Sequence, residues 1–233
     1  MNVFVTGTDT GIGKTFVSAA LLAALNASGV RGVGMKPVAS GCSDTPAGLC
    51  NEDALALIAH SSGNPPYGQV NPYALREPIA PHIAAADAGI EIEIDPIRAA
   101  FTSLSTNADC VVVEGVGGWC APLSATLMQA DIAHALQLPV VLVVGLRLGC
   151  LNHALLSARA IAGDGCQLIG WIGNRIDAQM VRVDENLATL RQRLPAPCLG
   201  VLPHASAGEP RALASHLRDA ANVIASAAYP PVP

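Results

Sequence analysis

The chain has 233 residues, of which 51% are apolar and only 3% aromatic, and its formal charge is -5. Such a length suffices for one α/β domain with a core of Ala, Val, Leu and Ile, so neither a second domain nor a stabilising disulfide framework is expected. Its 13 basic residues are scattered rather than clustered, which excludes the electrostatic footprint of a nucleic-acid or anionic-membrane binder and leaves small molecules as the expected partners.

Residues 2 to 16, NVFVTGTDTGIGKTF, read as an apolar strand running into a glycine-rich loop that ends in Gly13-Lys14-Thr15. Backbone NH groups of such a loop, with the start of the following helix, converge on one small volume and stabilise an anion there. Lys14 would reach the terminal phosphates of a nucleotide, and the Thr15 hydroxyl would sit on magnesium, which takes few protein ligands. The usual G-x-x-x-x-G-K-[ST] spelling wants glycine at position 8, where this chain has Thr8.

The helix after the loop is expected over 15–28, stopping at Gly29. Residues 30–36 read as a short strand closed by Pro37, which leaves Lys36 at a carboxyl end. Ligands bind outside those ends in open α/β sheets, so Lys36 is either placed for anionic chemistry or is a solvated surface lysine. A loop over 38–49 precedes a helix from Asn51 to His60. Asp53 falls in its first turn, where a carboxylate stabilises the helix dipole as well as being available to a site. Residues 61–82 are dense in proline and polar turn formers and read as a long surface excursion, of the kind that is usually functional.

A helix over 95–107 leads to a strand, Asp109 to Glu114, followed by Gly115-Val116-Gly117-Gly118. Glu114 thus arrives at the phosphate-loop edge of the sheet, able to hold magnesium or merely to end an apolar strand, and the glycines let a ligand approach the backbone. Further helices are expected over 126–137, 152–161, 182–194 and 211–227, with strands over 139–146, 168–173 and 198–202. The apolar run ending at Gly145 is about half a membrane span and meets Arg147, so it reads as a buried strand and no membrane partner is expected. The tetrapeptide Asn174-Arg175-Ile176-Asp177 resembles the guanine-reading N-[KR]-x-D element of GTPases. Six or seven strands alternating with helices make a P-loop NTPase-like, mostly parallel sheet covered on both faces. One domain over 1–227 and a proline-rich tail over 228–233 are expected. The seven cysteines, an odd number without CxxC spacing, suggest neither disulfides nor zinc. With no signal-peptide pattern at the start, a cytoplasmic protein is expected.

Three stretches taken together, Thr6 to Thr15, Lys36-Pro-Val-Ala-Ser-Gly41 and Glu114-Gly-Val-Gly-Gly-Trp119, resemble those of the dethiobiotin synthetase family. The resemblance extends to Val70-Asn-Pro-Tyr73 with Pro81-His82, to Leu148-Gly-Cys-Leu-Asn-His153 and to Gly170-Trp-Ile-Gly-Asn174, in the expected order over nearly the whole chain. It implies a cyclo-ligase that closes the ureido ring of dethiobiotin from 7,8-diaminononanoate, carbon dioxide and ATP with magnesium, through an N-carbamate and a carbamic-phosphoric anhydride. By position it implies Lys36, Lys14 and Thr10 as catalytic groups and Thr15, Asp53 and Glu114 as metal ligands. Nucleotide contacts are implied along Gly11, Ile12, Gly13, Lys14, Thr15 and Phe16, at Gly115, Val116 and Gly117, at Asn174 and Arg175, and at Pro203, His204, Ala205 and Glu209. Ser40 is placed beside the substrate. A homodimer is implied, with the turn Gly149, Cys150, Leu151 and Asn152 of the partner subunit receiving the substrate carboxylate. Gly11 stands where some relatives carry glutamate, and His204 where some carry an aromatic ring. The rival readings are a nucleotide-switched ATPase of the partitioning type and a GTPase switch. The first lacks its extra lysine within residues 7–12, and the second lacks its aspartate-glycine switch at Glu114-Gly115.

Overall fold

The structure, a computed structural model, describes residues 1–204 and 209–226. In chain order the elements are β1 (Val3–Gly7), α1 (Lys14–Ala27), β2 (Gly32–Met35), β3 (Val38–Ala39), β4 (Ser43–Thr45), β5 (Gly48–Cys50), α2 (Glu52–His60), α3 (Tyr67–Val70), β6 (Tyr73–Ala74), α4 (Pro81–Asp87), α5 (Ile94–Ser105) and β7 (Cys110–Glu114). There follow α6 (Gln129–Ala135), β8 (Val140–Gly145), α7 (Cys150–Gly163), β9 (Leu168–Asn174), α8 (Val183–Arg193), β10 (Cys198–Leu202), a 3-10 turn over Pro210–Leu217 and α9 (Arg218–Ala225).

Six strands form one parallel sheet in the order β10-β9-β8-β1-β7-β2. Side chains alternate across a strand, and here both faces are dry. Val3, Val5, Val112, Val141 and Val143 point into a core under α1 and α9, whereas Phe4, Val111, Val113, Leu142 and Val144 point into the core beneath α5, α6 and α7. Such double burial is why these strands read as unbroken valine runs rather than as alternating patterns. The chain leaves β1 toward β2 on one side and, after β7, crosses to β8 on the other. Their carboxyl ends therefore open a crevice at the end of β1, where a doubly wound sheet binds its ligand.

Two expectations need correction. The stretch 38–49 is not plain loop: it holds β3 and the antiparallel β4–β5 hairpin. The excursion over 61–82 contains α3 and β6 and runs into α4, because Pro81 pre-sets the first helical turn. Smaller shifts follow from capping. Helix α7 starts at Cys150, since Gly149 takes the left-handed conformation (φ 96°) just before it. The last expected helix is a 3-10 turn from Pro210 that becomes α-helical only at Arg218. The proline-rich tail lies outside the described residues. Among the described residues no helix is long and apolar enough to cross a membrane, and all seven cysteines are free.

Candidate active site

Strand register builds the site. Met35 of β2 pairs with Val113 of β7, and Glu114 pairs with Val5 of β1. One residue beyond Met35, Lys36 therefore stands level with Glu114, and side chains at equal register in a parallel sheet share a face. The Lys36 ammonium lies 2.5 Å from Glu114 Oε1 and 3.0 Å from Asp53 Oδ2, with the Gly115 carbonyl at 3.4 Å. Lys36 is 3% exposed and Glu114 fully buried, so Lys36 is not a solvated surface lysine and Glu114 is not a solubilising strand end. Burial opposes the Lys36 charge, but Glu114 and Asp53 outweigh it and hold the ammonium above the ordinary lysine range. Burial likewise opposes ionisation of Asp53, and Lys36 outweighs it, so that carboxyl is held below its ordinary value.

Asp53 reaches this cluster from the first turn of α2. The Asn51 side chain caps that helix by accepting from the Asp53 and Ala54 amides, so Asp53 is not the cap and its carboxylate is free to face Lys36. Thr15, the second residue of α1, donates its hydroxyl to Glu114 Oε1 at 2.7 Å. The hydroxyl and two carboxylates proposed for magnesium thus meet around one ammonium. Among the described residues the buried Glu114 Oε2 has no hydrogen-bond partner, the kind of orphaned oxygen that a bound cation explains. Among the described residues no group of three or more His, Cys, Asp or Glu is placed to hold a metal. The donors that do meet here are all oxygens, one hydroxyl and two carboxylates, a set that suits a hydrated ion such as magnesium better than zinc.

The phosphate loop folds over the end of β1. Gly11 and Gly13 have positive φ (72° and 81°), and a Cβ on Gly13 would lie 2.3 Å from Asn174 Nδ2. That approach exists because the Asn174 amide donates to the Ile12 carbonyl at 2.9 Å, tying the end of β9 to the loop. Lys14 is held by the Asp9 carbonyl at 2.9 Å, and burial together with the Lys36 charge brings its pKa down to about 8. Thr10 and Gly11 lie exposed at the loop's tip, with Ile12 buried and Phe16 half-buried on the first turn of α1.

Other expected residues lie around this edge. Gly115, Val116 and Gly117 continue from Glu114, and a Cβ on Gly115 would come within 2.3 Å of Gln129 Oε1. Ser40 follows β3, its buried hydroxyl without a partner among the described residues. Pro203 is half-buried beyond β10, while His204 and Glu209 are exposed and Ala205 lies outside the described residues. The backbone of Arg175 donates to Leu202, joining the two base-side segments. At the start of α7, Gly149 and Asn152 are exposed, Leu151 is half-buried and Cys150 is buried.

Several residues that sequence reasoning missed complete the scaffold. Asp9 accepts from Arg147 Nη2 at 2.6 Å and from the Thr10 amide, pinning the phosphate loop to the turn before α7. Gln129 bridges Thr6 Oγ1 and the Gly118 carbonyl, tying β1 to the loop after β7. Tyr67 and Asn71, inside the supposed surface excursion, buttress the site: Asn71 donates to the Lys36 carbonyl, and Tyr67 donates to Asn71 and accepts from the Asn51 amide. The Val70-Asn-Pro-Tyr73 stretch was the available signal, but only the fold shows what its asparagine holds.

Comparison with known proteins agrees with this arrangement. A family model described as an AAA domain matches residues 1–211. The ATP-dependent dethiobiotin synthetase BioD of Xanthomonas euvesicatoria pv. vesicatoria (strain 85-10) is 65% identical over 200 residues, 86% of this chain and 89% of that protein. The protein of the same name from Xylella fastidiosa (strain 9a5c) is 60% identical over 215 residues, covering 92% of this chain and 95% of that one. Among solved structures, the MinD cell division protein of Aquifex aeolicus superposes with TM-score 0.61 at 17% identity, covering both chains fully. A ParA family ATPase from Chlorobium tepidum TLS gives 0.53 at 15%, over 94% of this chain and 90% of that one. At those identities the structural likeness speaks for the P-loop fold alone, and the partitioning-type and GTPase readings are not favoured. The sequence relatives speak for more: this chain belongs to the ATP-dependent dethiobiotin synthetase family.

Proposed function

We propose that this ATP-dependent ligase closes the ureido ring of dethiobiotin from 7,8-diaminononanoate, carbon dioxide and ATP, releasing ADP and phosphate. The observation that carries the residue-level reading is the convergence of Lys14, Lys36, Thr15, Asp53 and Glu114 at the carboxyl ends of β1, β2 and β7. One amine of the diamine adds to carbon dioxide and loses a proton, giving an N-carbamate. A carbamate oxygen then attacks the γ-phosphorus as the bond to ADP breaks. The second amine attacks the carbonyl of the mixed anhydride, phosphate leaves, and the ring closes with loss of a proton.

Two anions must approach one another in the middle step, so the protein's work is charge neutralisation and positioning. Lys14 and the NH groups of Gly11 to Phe16 take the nucleotide phosphates, with Lys36 beside the transferring group and Thr10 and Ser40 on the carbamate and substrate side. Thr15, Asp53 and Glu114 would hold magnesium, which supplies positive charge to the phosphate oxygens. Gly115 to Gly117 admit the phosphates closely. The base lies against Asn174, Arg175 and Pro203 to Ala205, with Glu209 near it. Asn174 Nδ2 is committed to Ile12, which leaves its oxygen to accept from an exocyclic amine such as that of adenine.

The chain acts as a homodimer in which the Gly149 to Asn152 turn of one subunit serves the other's substrate carboxylate. First-turn NH groups of the fourteen-residue α7 suit an anion. Leu148 (95% exposed), Leu156 and Val181 are exposed apolar side chains of the kind a partner covers. Free cysteines support a cytoplasmic setting. The test is direct: protein with diaminononanoate, bicarbonate, magnesium and ATP should form dethiobiotin and release phosphate, and omission of the diamine should abolish both. Phosphate release that is indifferent to the diamine would refute the reading.

A further inference from the structure

A lysine ammonium has three N–H donors, and all three of Lys36 are spent: on Glu114 Oε1, on Asp53 Oδ2 and, more weakly, on the Gly115 carbonyl. In this arrangement Lys36 has no donor left for a phosphate or carbamate oxygen. Glu114 is equally lopsided. Its Oε1 accepts from both Thr15 and Lys36, while the buried Oε2 has no partner among the described residues. The ammonium therefore sits among the same hydroxyl and carboxylates that suit a hydrated dication, and two cations cannot share that space. We infer that Lys36 occupies the cation seat between Asp53 and Glu114, and that a divalent metal must displace it, so that metal and nucleotide phosphates arrive together.

Charge explains the coupling. Lys14 and Lys36 against Asp53 and Glu114 make a neutral group, of which all but Asp53 are buried. A dication alone would leave that group with an excess of two positive charges and an ammonium pushed off the two carboxylates that hold it, which a low-dielectric site penalises heavily. Nucleotide phosphates remove the excess and give the displaced ammonium new acceptors. The exchange also delivers Lys36 to the place where the proposed chemistry needs it, and it prevents the site from filling with metal before the phosphates are there. This inference rests on the assignment of Thr15, Asp53 and Glu114 as metal ligands.

The test uses the full chain without nucleotide and Mn²⁺ as probe, bound ion being counted by electron paramagnetic resonance. Wild type should bind Mn²⁺ weakly, Lys36→Met at least tenfold more tightly, and Lys36→Met combined with Asp53→Asn should lose that gain. Equal or weaker binding by Lys36→Met overturns the exchange while leaving the ligand assignment standing if Asp53→Asn still weakens Mn²⁺ binding in the presence of ADP. A tight Lys36→Met site that is indifferent to Asp53→Asn overturns the ligand assignment itself. Should Lys36→Met not fold, wild type answers alone: reductive methylation of Lys36, read by mass spectrometry, should be slow without metal and several-fold faster at saturating Mn²⁺. A methylation rate that metal leaves unchanged sinks the proposal.

Discussion

Lys14 and Lys36 stand at the carboxyl ends of one sheet, a few residues beyond β1 and directly after β2, yet their surroundings differ in sign. Lys14 has a backbone carbonyl for company, and burial with the nearby Lys36 charge draws its pKa down to about 8. Lys36 is buried more completely but carries two carboxylates, which keep its pKa above the ordinary lysine value. One end of the site is thus a cation short of an anion, and the other is a closed neutral cluster. Two lysines of equal formal charge are thus surrounded differently, and the proposed reaction asks different things of them: Lys14 to receive phosphate, Lys36 to be released before it acts.

The largest effects should come from removing either charge. Lys14→Ala and Lys36→Ala are each expected to lower turnover by at least ~100-fold, the scale of deleting one preorganised group from a charged transition state. The two should part company in binding. Calorimetry with ADP and saturating magnesium should find weaker binding in Lys14→Ala and binding close to wild type in Lys36→Ala, because the metal takes the place between Asp53 and Glu114 that the ammonium would otherwise fill. Normal turnover in Lys36→Ala would remove it from the chemistry.

Next in size are the carboxylates. Glu114→Gln and Asp53→Asn should both raise the magnesium concentration needed for activity, since each removes a negative ligand from the proposed metal site, which has few. The rise should be larger for Glu114, which is fully buried and bound by both Thr15 and Lys36, than for Asp53, whose side chain is 45% exposed. A magnesium titration of initial rates checks the order, and equal shifts would erase the contrast between the two groups.

A pH series sharpens the same contrast. Phosphate prefers the charged Lys14, whose free-protein pKa lies near 8. Below that value Lys14 is already protonated and ADP affinity should be flat. Above it, binding must restore the proton, so affinity should fall by up to about tenfold per pH unit until the higher pKa of the complex is passed. Lys14→Met should flatten this slope between pH 7 and 9.5, whereas the ammonium of Lys36, held up by its carboxylates, contributes none there.

Legibility in the sequence followed the same division. The phosphate loop, Glu114 at the end of β7 and the alternation of strands and helices are local patterns, and each stands where periodicity and spacing put it. Lys36 beside Glu114 is different, because that pairing depends on β7 inserting between β1 and β2, a choice of strand order that no local window contains. Asp9, Arg147 and Gln129 were invisible for a related reason: their partners lie 138 and 123 residues away along the chain. Residues 61–82 misled because proline-rich composition signals turns but not what the turns support, here the Tyr67 and Asn71 bonds that carry Asn51 and the Lys36 backbone.

The smallest expected effect concerns the tetrapeptide that resembles a guanine reader. In such readers the aspartate accepts from the guanine ring and its exocyclic amine, a donor pair adenine lacks. Asp177 instead spends its Oδ1 on the Gln179 amide at 2.8 Å, a turn that stabilises the chain after β9. An asparagine there offers the same acceptor, so Asp177→Asn should leave the Michaelis constant for ATP nearly unchanged. Asn174→Ala, by contrast, releases the Ile12 carbonyl along with any bond to the base and should cost roughly 1 kcal/mol, about a fivefold rise in that constant. Competition between ATP and GTP separates the readings. If wild type prefers GTP and Asp177→Asn abolishes that preference, the base is read by Asp177 after all, and the nucleotide end of the site would have to be rebuilt around that carboxylate while the two lysines keep their separate tasks.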